Sequence, residues 1–209
     1  MDSEVDFSKI DGRRARGERA RASVLDAILD LIQEGDLKPT AERVAERAGV
    51  SLRLVFHHFA DLESLYAAAA DRQFERLRRL RKPIPSDGPF DLRLDAFLRQ
   101  RIRLWERIAP VRRAGLLLEP FSNAIGDRLR EARSFARVEA ATVFRLEIET
   151  FPRLERAEVI AALDAASAWH TWEVLRRHQD LTIETARRIV ARMITALVAP
   201  VAKAQGGKE

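Results

Sequence analysis

Two adjacent histidines are the first candidates for chemistry in this sequence. His57 and His58 follow one another in a predicted helix, so their side chains point in different directions. A helical zinc site of the His-Glu-x-x-His type needs its two histidines four residues apart. The chain also contains no cysteine, which rules out zinc–thiolate sites, thiol catalysis and disulfides. The sequence therefore predicts no metal site and no cofactor.

The other titratable residues form no pattern typical of an enzyme. The sequence has no Gly-x-Ser-x-Gly elbow, no P-loop and no dinucleotide-binding fingerprint. His170 and His178 lie in one late helix without an evident nucleophile, while Glu147 and Glu149 lie among charges typical of a solvated face. We therefore predict that the chain is not an enzyme.

A cluster of arginines near the start of the chain has two interpretations. The cluster comprises Arg13, Arg14, Arg16, Arg19 and Arg21, with only Glu18 as an opposing charge. It could bind a phosphate backbone, or it could be the solvated start of a helix. The formal net charge of +5 permits binding to nucleic acid but does not establish it. These observations leave both interpretations open.

The elements that position these residues are predicted to be helical throughout. Apolar residues recur at helical spacing along most of the 209 residues, and no alternation typical of strands stands out. The fold class is therefore all-α, with about nine helices. A stretch rich in proline at residues 82–89 cannot continue a helix and marks the first boundary between helical segments. The later helices are predicted at 90–109, between Pro110 and Pro120, and at 122–151, 154–178 and 182–202.

Residues 40–59 have the features of a helix-turn-helix. They read TAERVAERAGVSLRLVFHHF. Thr40 and Ser51 are N-cap residues for two short helices, and Gly49 can adopt the positive φ that reverses the chain between them. Val50 is apolar and can pack between the helices, while the small Ala45 lets them approach closely. In this motif the second helix enters the major groove of DNA.

The same segment resembles the TetR family of regulators. The resemblance is carried by the string AGVS at residues 48–51 and by Phe56 and the pair His58-Phe59 that follow it. An acidic residue and Leu65-Tyr66 beyond this string extend the resemblance. It covers about residues 20–70. The rest of the chain agrees in length, helix number and the terminal pair of helices. The resemblance implies a DNA-binding domain at residues 1–61 and a ligand-binding and dimerisation domain at residues 62–209.

The resemblance also implies which residues contact double-stranded DNA. The recognition helix would run from Leu52 to His58. Arg53 would either read a guanine through O6 and N7, worth about 1–3 kcal/mol of discrimination, or contact a phosphate. Leu54 would pack on a thymine methyl group. The expected DNA-binding residues are Thr40, Arg43, Arg47, Ser51, Leu52, Arg53, Leu54, Phe56, His57 and His58, of which Thr40, Arg43, Arg47 and His58 would contact phosphates.

Two residues depart from the family's pattern. Phe56 stands where the family commonly has a tyrosine whose hydroxyl donates to a phosphate, and Leu62 stands where it favours a lysine. Both differences weaken the expected contact with the DNA backbone. The arginine cluster at residues 13–21 is a candidate to compensate for them.

Bulky residues in the middle helices predict a small-molecule site. Members of the family bind ligands between such helices, and aromatic walls with few polar groups suit a largely hydrophobic molecule. Each aromatic residue alone fits an ordinary core better than a ligand contact, and only the set as a whole predicts an internal apolar pocket. The expected ligand-binding residues are Phe97, Arg101, Trp105, Phe121, Phe144, Trp169, His170 and Trp172.

The last two helices predict a homodimer. Their apolar stripes suit a four-helix interface, although an intrachain core would use some of the same residues. The expected interface residues are Ala165, Trp172, Ile189, Met193, Ile194 and Leu197. A two-fold dimer would place two recognition helices about 34–36 Å apart on a near-palindromic operator.

The resulting prediction is a DNA-binding regulator, most often a repressor in this family, that a small ligand releases from its operator. The alternative is a helical adaptor that uses the same motif to hold a protein partner. Residues 1–11 lack an apolar signal core, and no stretch of 18 apolar residues occurs. We therefore expect a cytoplasmic protein without a membrane partner.

Overall fold

The computed structural model describes the backbone of residues 7–199 and the side chains of residues 14–199. Every regular element within this range is helical, which confirms the all-α class. None of these helices is long and apolar enough to cross a membrane. The helices are α1 (Phe7–Gln33), α2 (Ala41–Ala48), α3 (Leu52–His58), α4 (Leu62–Leu80), α5 (Phe90–Leu118), α6 (Asn123–Val143), α7 (Arg145–Ile148), α8 (Arg156–Ala166), α9 (Trp169–Glu173) and α10 (Ile183–Val198), with a 3-10 turn at Glu119–Phe121 and a π-helical turn at Val174–His178.

The described chain divides into two compact units. The first contains the residues up to Leu80 together with Pro110–Leu129, and the second contains Arg81–Ala109 together with the residues from Arg130 onward. Helices α5 and α6 therefore each contribute residues to both units. This grouping follows contacts within the chain and does not test the functional division at residue 61, which stays a prediction.

The first unit is built around α1, which packs against α2, α3 and α4. Its core contains the apolar stripe of α1, including Val24 and Ile28, neither of which is exposed to solvent. Val44 of α2 and Leu65 of α4 complete the same cluster. The core thus fixes one face of each short helix and leaves the opposite face to solvent.

The second unit has an aromatic interior. Phe97 of α5 and Phe144, between α6 and α7, have ring centroids 5.1 Å apart, and neither is exposed to solvent. Trp105 of α5 stacks on Trp172 of α9 with centroids 5.2 Å apart. Helices α8 and α10 pack against one another in this unit.

The predicted end of a helix at Pro110 is wrong. Helix α5 continues through Pro110 to Leu118, so the expected short helix between Pro110 and Pro120 is the last part of α5. Proline lacks the N–H of one helical hydrogen bond. Packing offsets that loss here, because Ala114 is buried in the core of the first unit and Val111 packs against it.

The two long helices predicted after Pro120 are also interrupted. Helix α6 ends at Val143, where the buried guanidinium of Arg93 donates to the Val143 carbonyl and pairs with Glu147. Helix α8 starts at Arg156 and ends at Ala166, because Ala168 is extended, with φ −80° and ψ 154°.

The last helix begins where the sequence predicts it. Thr182 is its N-cap and accepts a hydrogen bond from the Thr185 N–H at 3.2 Å. Helix α10 ends at Val198, earlier than predicted, because Ala199 is extended. Residues 200–202 of the prediction lie outside the described range.

Candidate nucleic-acid interface

The reversal between α2 and α3 has the geometry that the sequence predicts. Gly49 has φ +66° and ψ +34°, and its N–H donates to the carbonyls at the end of α2. The Val50 N–H then donates to the Ala45 carbonyl at 3.0 Å. A residue with a Cβ is strained in this left-handed conformation. The glycine therefore sets the angle at which α3 leaves α2.

Helix α3 is fixed by its cap and by one buried face. The Ser51 hydroxyl accepts a hydrogen bond from the Leu54 N–H at 3.2 Å, which confirms Ser51 as the N-cap. Val55 is buried in the core, and so is Phe59 just beyond the helix. Leu52 is half-buried and packs against the same core. These contacts orient the opposite face of α3 toward solvent.

That outer face of α3 carries Arg53, Phe56 and His57. All three are exposed, and the Phe56 residue is 45% exposed although it is aromatic. Arg53 makes no hydrogen bond or ion pair with any described residue. Leu54 is half-buried at the edge of this face. A guanidinium without a partner on an exposed helix can donate two hydrogen bonds to a group that has two acceptors.

The arginines of α2 are exposed but already paired. Arg43 lies 2.7 Å from the carboxylate of Asp36, and Arg47 donates to both oxygens of Glu34 at 2.8 and 2.6 Å. The hydrogen bonds from Arg47 lower the pKa of the Glu34 carboxyl. Thr40 is the N-cap of α2 and accepts from the Arg43 N–H at 3.4 Å. To contact a phosphate, each guanidinium must either bind the phosphate alongside its carboxylate or release the carboxylate.

The two histidines occupy different environments. His57 is exposed, whereas His58 is half-buried near Gly17 of α1, and its Nε2 is buried with no hydrogen-bond partner. Burial lowers the pKa of His58, and the nearby charges of His57 and Arg21 lower it further. This shift favours the neutral form of the His58 imidazole. This placement favours packing against α1 over a phosphate contact.

Several contacts that hold the interface have no signal in the sequence. Asp26 of α1 receives two hydrogen bonds from Arg72 of α4, each at 2.7 Å. The buried Tyr66 hydroxyl donates to the Pro39 carbonyl at 2.9 Å. Ser23 of α1 donates to the Ala48 carbonyl at 3.2 Å. Each pair is separated by 25 residues or more, so only the fold brings its members together.

Seven of the eight expected ligand-binding residues lie in the second unit. Phe97, Arg101, Trp105, Phe144, Trp169 and Trp172 are buried there, and His170 is exposed. Phe121 differs, because it belongs to the first unit and is 83% exposed.

The expected interface residues divide into two groups. Trp172 and Ile194 are buried within the chain, which favours an intrachain role for them. Ala165 is exposed, and Ile189, Met193 and Leu197 are half-buried. The second group therefore presents apolar surface that a partner subunit can cover.

The sequence matches one family model. Residues 24–69 match the model described as "Bacterial regulatory proteins, tetR family". This range contains α2, α3 and the capped turn between them. A comparison with curated proteins returned no match.

Solved structures share the fold over most of the chain. A TetR-family transcriptional regulator from Streptomyces coelicolor has a TM-score of 0.67 and 21% identity, covering 87% of this chain and 82% of the other. A putative TetR-family transcriptional regulator from Rhodococcus sp. has a TM-score of 0.66 and 21% identity, covering 86% of this chain and 99% of the other. The multidrug-binding protein EbrR, complexed with imidazole, has a TM-score of 0.56 and 22% identity, covering 83% of this chain and 94% of the other.

The family model matches the segment that contains the capped turn and the exposed helix, and the solved regulators share the fold of the remaining helices. Residues 24–69 therefore match the tetR family of bacterial regulatory proteins, and the chain shares its fold with solved TetR-family transcriptional regulators.

Proposed function

We propose that this chain is a dimeric repressor that binds a near-palindromic operator in the cytoplasm and leaves it when a small, largely hydrophobic ligand binds. The match of residues 24–69 to a family of bacterial regulatory proteins supports a regulator over an enzyme. The observation that carries the proposal is the exposed outer face of α3, held in place by the Gly49 turn, the Ser51 cap and the buried Val55.

In this proposal each part of the interface has a separate role. Arg53 reads a guanine in the major groove, with Leu54, Phe56 and His57 beside it, while Thr40, Ser51, Leu52 and His58 position the helix on the DNA. Arg47 exchanges Glu34 for a phosphate at little cost, because that pair is solvated. Arg43 keeps its ion pair with Asp36, whose contacting oxygen is buried, and binds a phosphate through its remaining N–H groups. Residues 1–61 form the DNA-binding domain, and residues 62–209 bind the ligand and the partner subunit.

Ligand binding is supported by the aromatic interior of the second unit and by one structural neighbour. The buried rings of Phe97, Phe144, Trp105 and Trp172 resemble the walls of a site for an apolar molecule. EbrR, which has a related fold, is a multidrug-binding protein. A ligand that favours one spacing of the two DNA-reading helices lowers operator affinity by shifting the population of conformations.

Dimerisation through α8 and α10 leads to a test at Ala165. This residue is exposed on α8, in line with Ala157 and Ala161. We expect Ala165→Arg to place an unpaired charge in the interface and to convert the dimer to a monomer, as measured by light scattering after gel filtration. Operator affinity should fall about 10²-fold or more, because the two half-sites are no longer bound by linked domains. Ser134→Arg adds the same charge at an exposed position of α6 and should stay dimeric; a dimeric Ala165→Arg variant contradicts the assignment.

The arginine cluster leads to a second test. Within α1, Arg14 lies 3.4 Å from Glu18, and both are highly exposed, so this pair holds Arg14 only weakly. The side chain of Arg13 lies outside the described residues. We expect replacement of Arg13, Arg14 and Arg16 by alanine to lower operator affinity and to flatten the dependence of log K on log salt by about 0.9 for each lost phosphate contact. An unchanged slope in a fluorescence-anisotropy titration assigns the cluster to the solvated start of a helix.

A mobility-shift assay on the DNA upstream of the protein's own gene tests the proposed function. A regulator retards this DNA at concentrations at which DNA of scrambled sequence stays free, and a repressor lowers expression of a reporter from the same DNA. An adaptor that holds a protein partner shows only weak retardation that is the same for both DNAs.

A further inference from the structure

Glu34, directly after α1, is bound to one of the arginines that the proposed function assigns to a phosphate. Both oxygens of its carboxylate accept hydrogen bonds from Arg47 of α2, at 2.8 and 2.6 Å. Two parallel hydrogen bonds of this kind are the strongest arrangement between an arginine and a carboxylate. They lower the pKa of the Glu34 carboxyl, so it carries its negative charge at neutral pH. The guanidinium of Arg47 is therefore occupied before DNA arrives.

The stability of the helices does not explain a carboxylate at position 34. Glu34 follows Gln33, the last residue of α1, and the C-terminal end of a helix carries a partial negative charge that disfavours an anion. Its side chain is 59% exposed, and among the described residues only Arg47 forms hydrogen bonds with it. Arg47 lies in the last turn of α2, where a cation is favourable without any carboxylate. The pair is therefore not needed to hold either helix.

The other two arginines of the interface have different surroundings. Arg43 pairs with Asp36, which also accepts a hydrogen bond from the Lys38 N–H at 3.3 Å and so holds the loop before α2. Arg53 has no partner among the described residues. Glu34 alone combines an exposed carboxylate with a pairing that serves no other described contact. It is the acidic residue of this surface whose removal leaves the loop and both helices intact.

Release of Glu34 affects binding to every DNA sequence. A phosphate contact carries no sequence information, so a carboxylate that competes for Arg47 weakens binding to operator and to unrelated DNA alike. One exposed ion pair has a small effect. The proposed dimer carries two copies of it, and a released carboxylate close to the DNA also repels phosphates.

We propose that Glu34 is an internal competitor for the DNA backbone, which binds the guanidinium of Arg47 and restrains binding to DNA of any sequence, while Arg53 stays free to read the operator. This inference rests on the proposed function and deepens it by naming a residue that limits sequence-independent affinity. The chain has a formal net charge of +5. A restraint of this kind reduces the amount of a basic protein that unrelated DNA retains.

Fluorescence anisotropy of the full-length protein with two labelled duplexes tests the competitor. One duplex carries the operator, and the other has the same composition in scrambled order. Glu34→Gln keeps the size of the side chain and removes its charge. We expect it to bind both duplexes more tightly by the same factor, about two- to fivefold for each half-site. The dependence of log K on log salt should also become steeper, because no carboxylate is set free when Arg47 meets a phosphate.

Further variants assign the gain to the pair itself. Glu46→Gln removes the same charge from an exposed position of α2 that acts on Arg47 only through its charge, and it should change binding much less. Glu34→Gln combined with Arg47→Ala should bind no more tightly than Arg47→Ala alone. Glu34→Ala gives the same test if the glutamine variant does not fold. No gain in the Glu34 variants, an equal gain in Glu46→Gln, or a gain that persists without Arg47 overturns the proposal.

The comparison of the two duplexes separates this inference from the proposed function. A protein that prefers the operator, but whose affinity is the same in Glu34→Gln, is a regulator without the competitor. A protein that binds both duplexes equally, and gains affinity for both in Glu34→Gln through Arg47, keeps the competitor and loses the proposed sequence-specific function.

Discussion

Replacing Arg53 with alanine is expected to lower operator affinity by about 1–3 kcal/mol for each half-site, which is roughly five- to 150-fold. The guanidinium is exposed on the outer face of α3 and has no partner among the described residues, so it is free to donate to O6 and N7 of one guanine. The variant should fold normally, because surface substitutions away from packing contacts usually change stability by about 0.5 kcal/mol or less.

Binding affinities for operators with and without that guanine show whether Arg53 contacts a base or a phosphate. If it reads a base, Arg53→Ala binds the natural operator and an operator with that guanine replaced equally well. Arg53→Lys should restore little of the discrimination, because lysine lacks the planar fork of the guanidinium. Arg43→Ala is the matched control, since a lost phosphate contact weakens binding to all sequences about equally. An Arg53→Ala variant that behaves like this control assigns Arg53 to a phosphate.

Replacing Ile28 with alanine is expected to have the largest effect on stability, about 2–5 kcal/mol. Ile28 lies at the centre of the core of the first unit and is 0% exposed. Its truncation leaves a cavity beneath the helices that carry the interface. Since folded proteins are stable by about 5–15 kcal/mol, the loss should lower the unfolding temperature markedly and reduce the fraction of protein that binds DNA.

Two spectroscopic signals separate the units in this experiment. Far-UV circular dichroism follows all helices, whereas the tryptophans belong to the second unit. We expect the Ile28→Ala protein to lose part of its helical signal before its tryptophan fluorescence changes. Leu117→Ala is the control, because this leucine of the first unit is 54% exposed and should cost little. Equal losses of stability in the two variants contradict the description of the core.

The capped turn between α2 and α3 could be predicted from the sequence because its signals are local. Thr40 and Ser51 are the N-caps that the sequence predicts, and Gly49 has the predicted positive φ. Thr182 is the N-cap of the helix that the sequence predicts to begin there. Each acts on backbone groups within four residues, so its effect depends little on the rest of the fold. The apolar stripe of α1 was equally informative, since one face of a helix has to be buried.

The rest of the fold depends on contacts between distant residues. Nothing near Pro110 shows that packing of Ala114 will carry α5 through a proline. The break after Val143 involves Arg93, which lies 50 residues earlier in the sequence. Glu139 of α6 likewise pairs with arginines from two other segments. Periodicity identified these helices as amphipathic but could not locate their interruptions, because the interruptions are set by tertiary packing.

Site-directed cleavage of operator DNA tests most directly whether α3 enters the groove. The natural chain has no cysteine, so His57→Cys creates a single attachment point on the outer face of α3, and Ser134→Cys creates an exposed control on α6. With an iron–EDTA group attached, the first variant should cut each half-site at defined positions in the major groove, with the two sets of cuts about one helical turn apart, while the control leaves the DNA uncut. Equal cutting by both variants, or no cutting of bound operator by the α3 variant, contradicts the assignment of α3 as the DNA-reading helix.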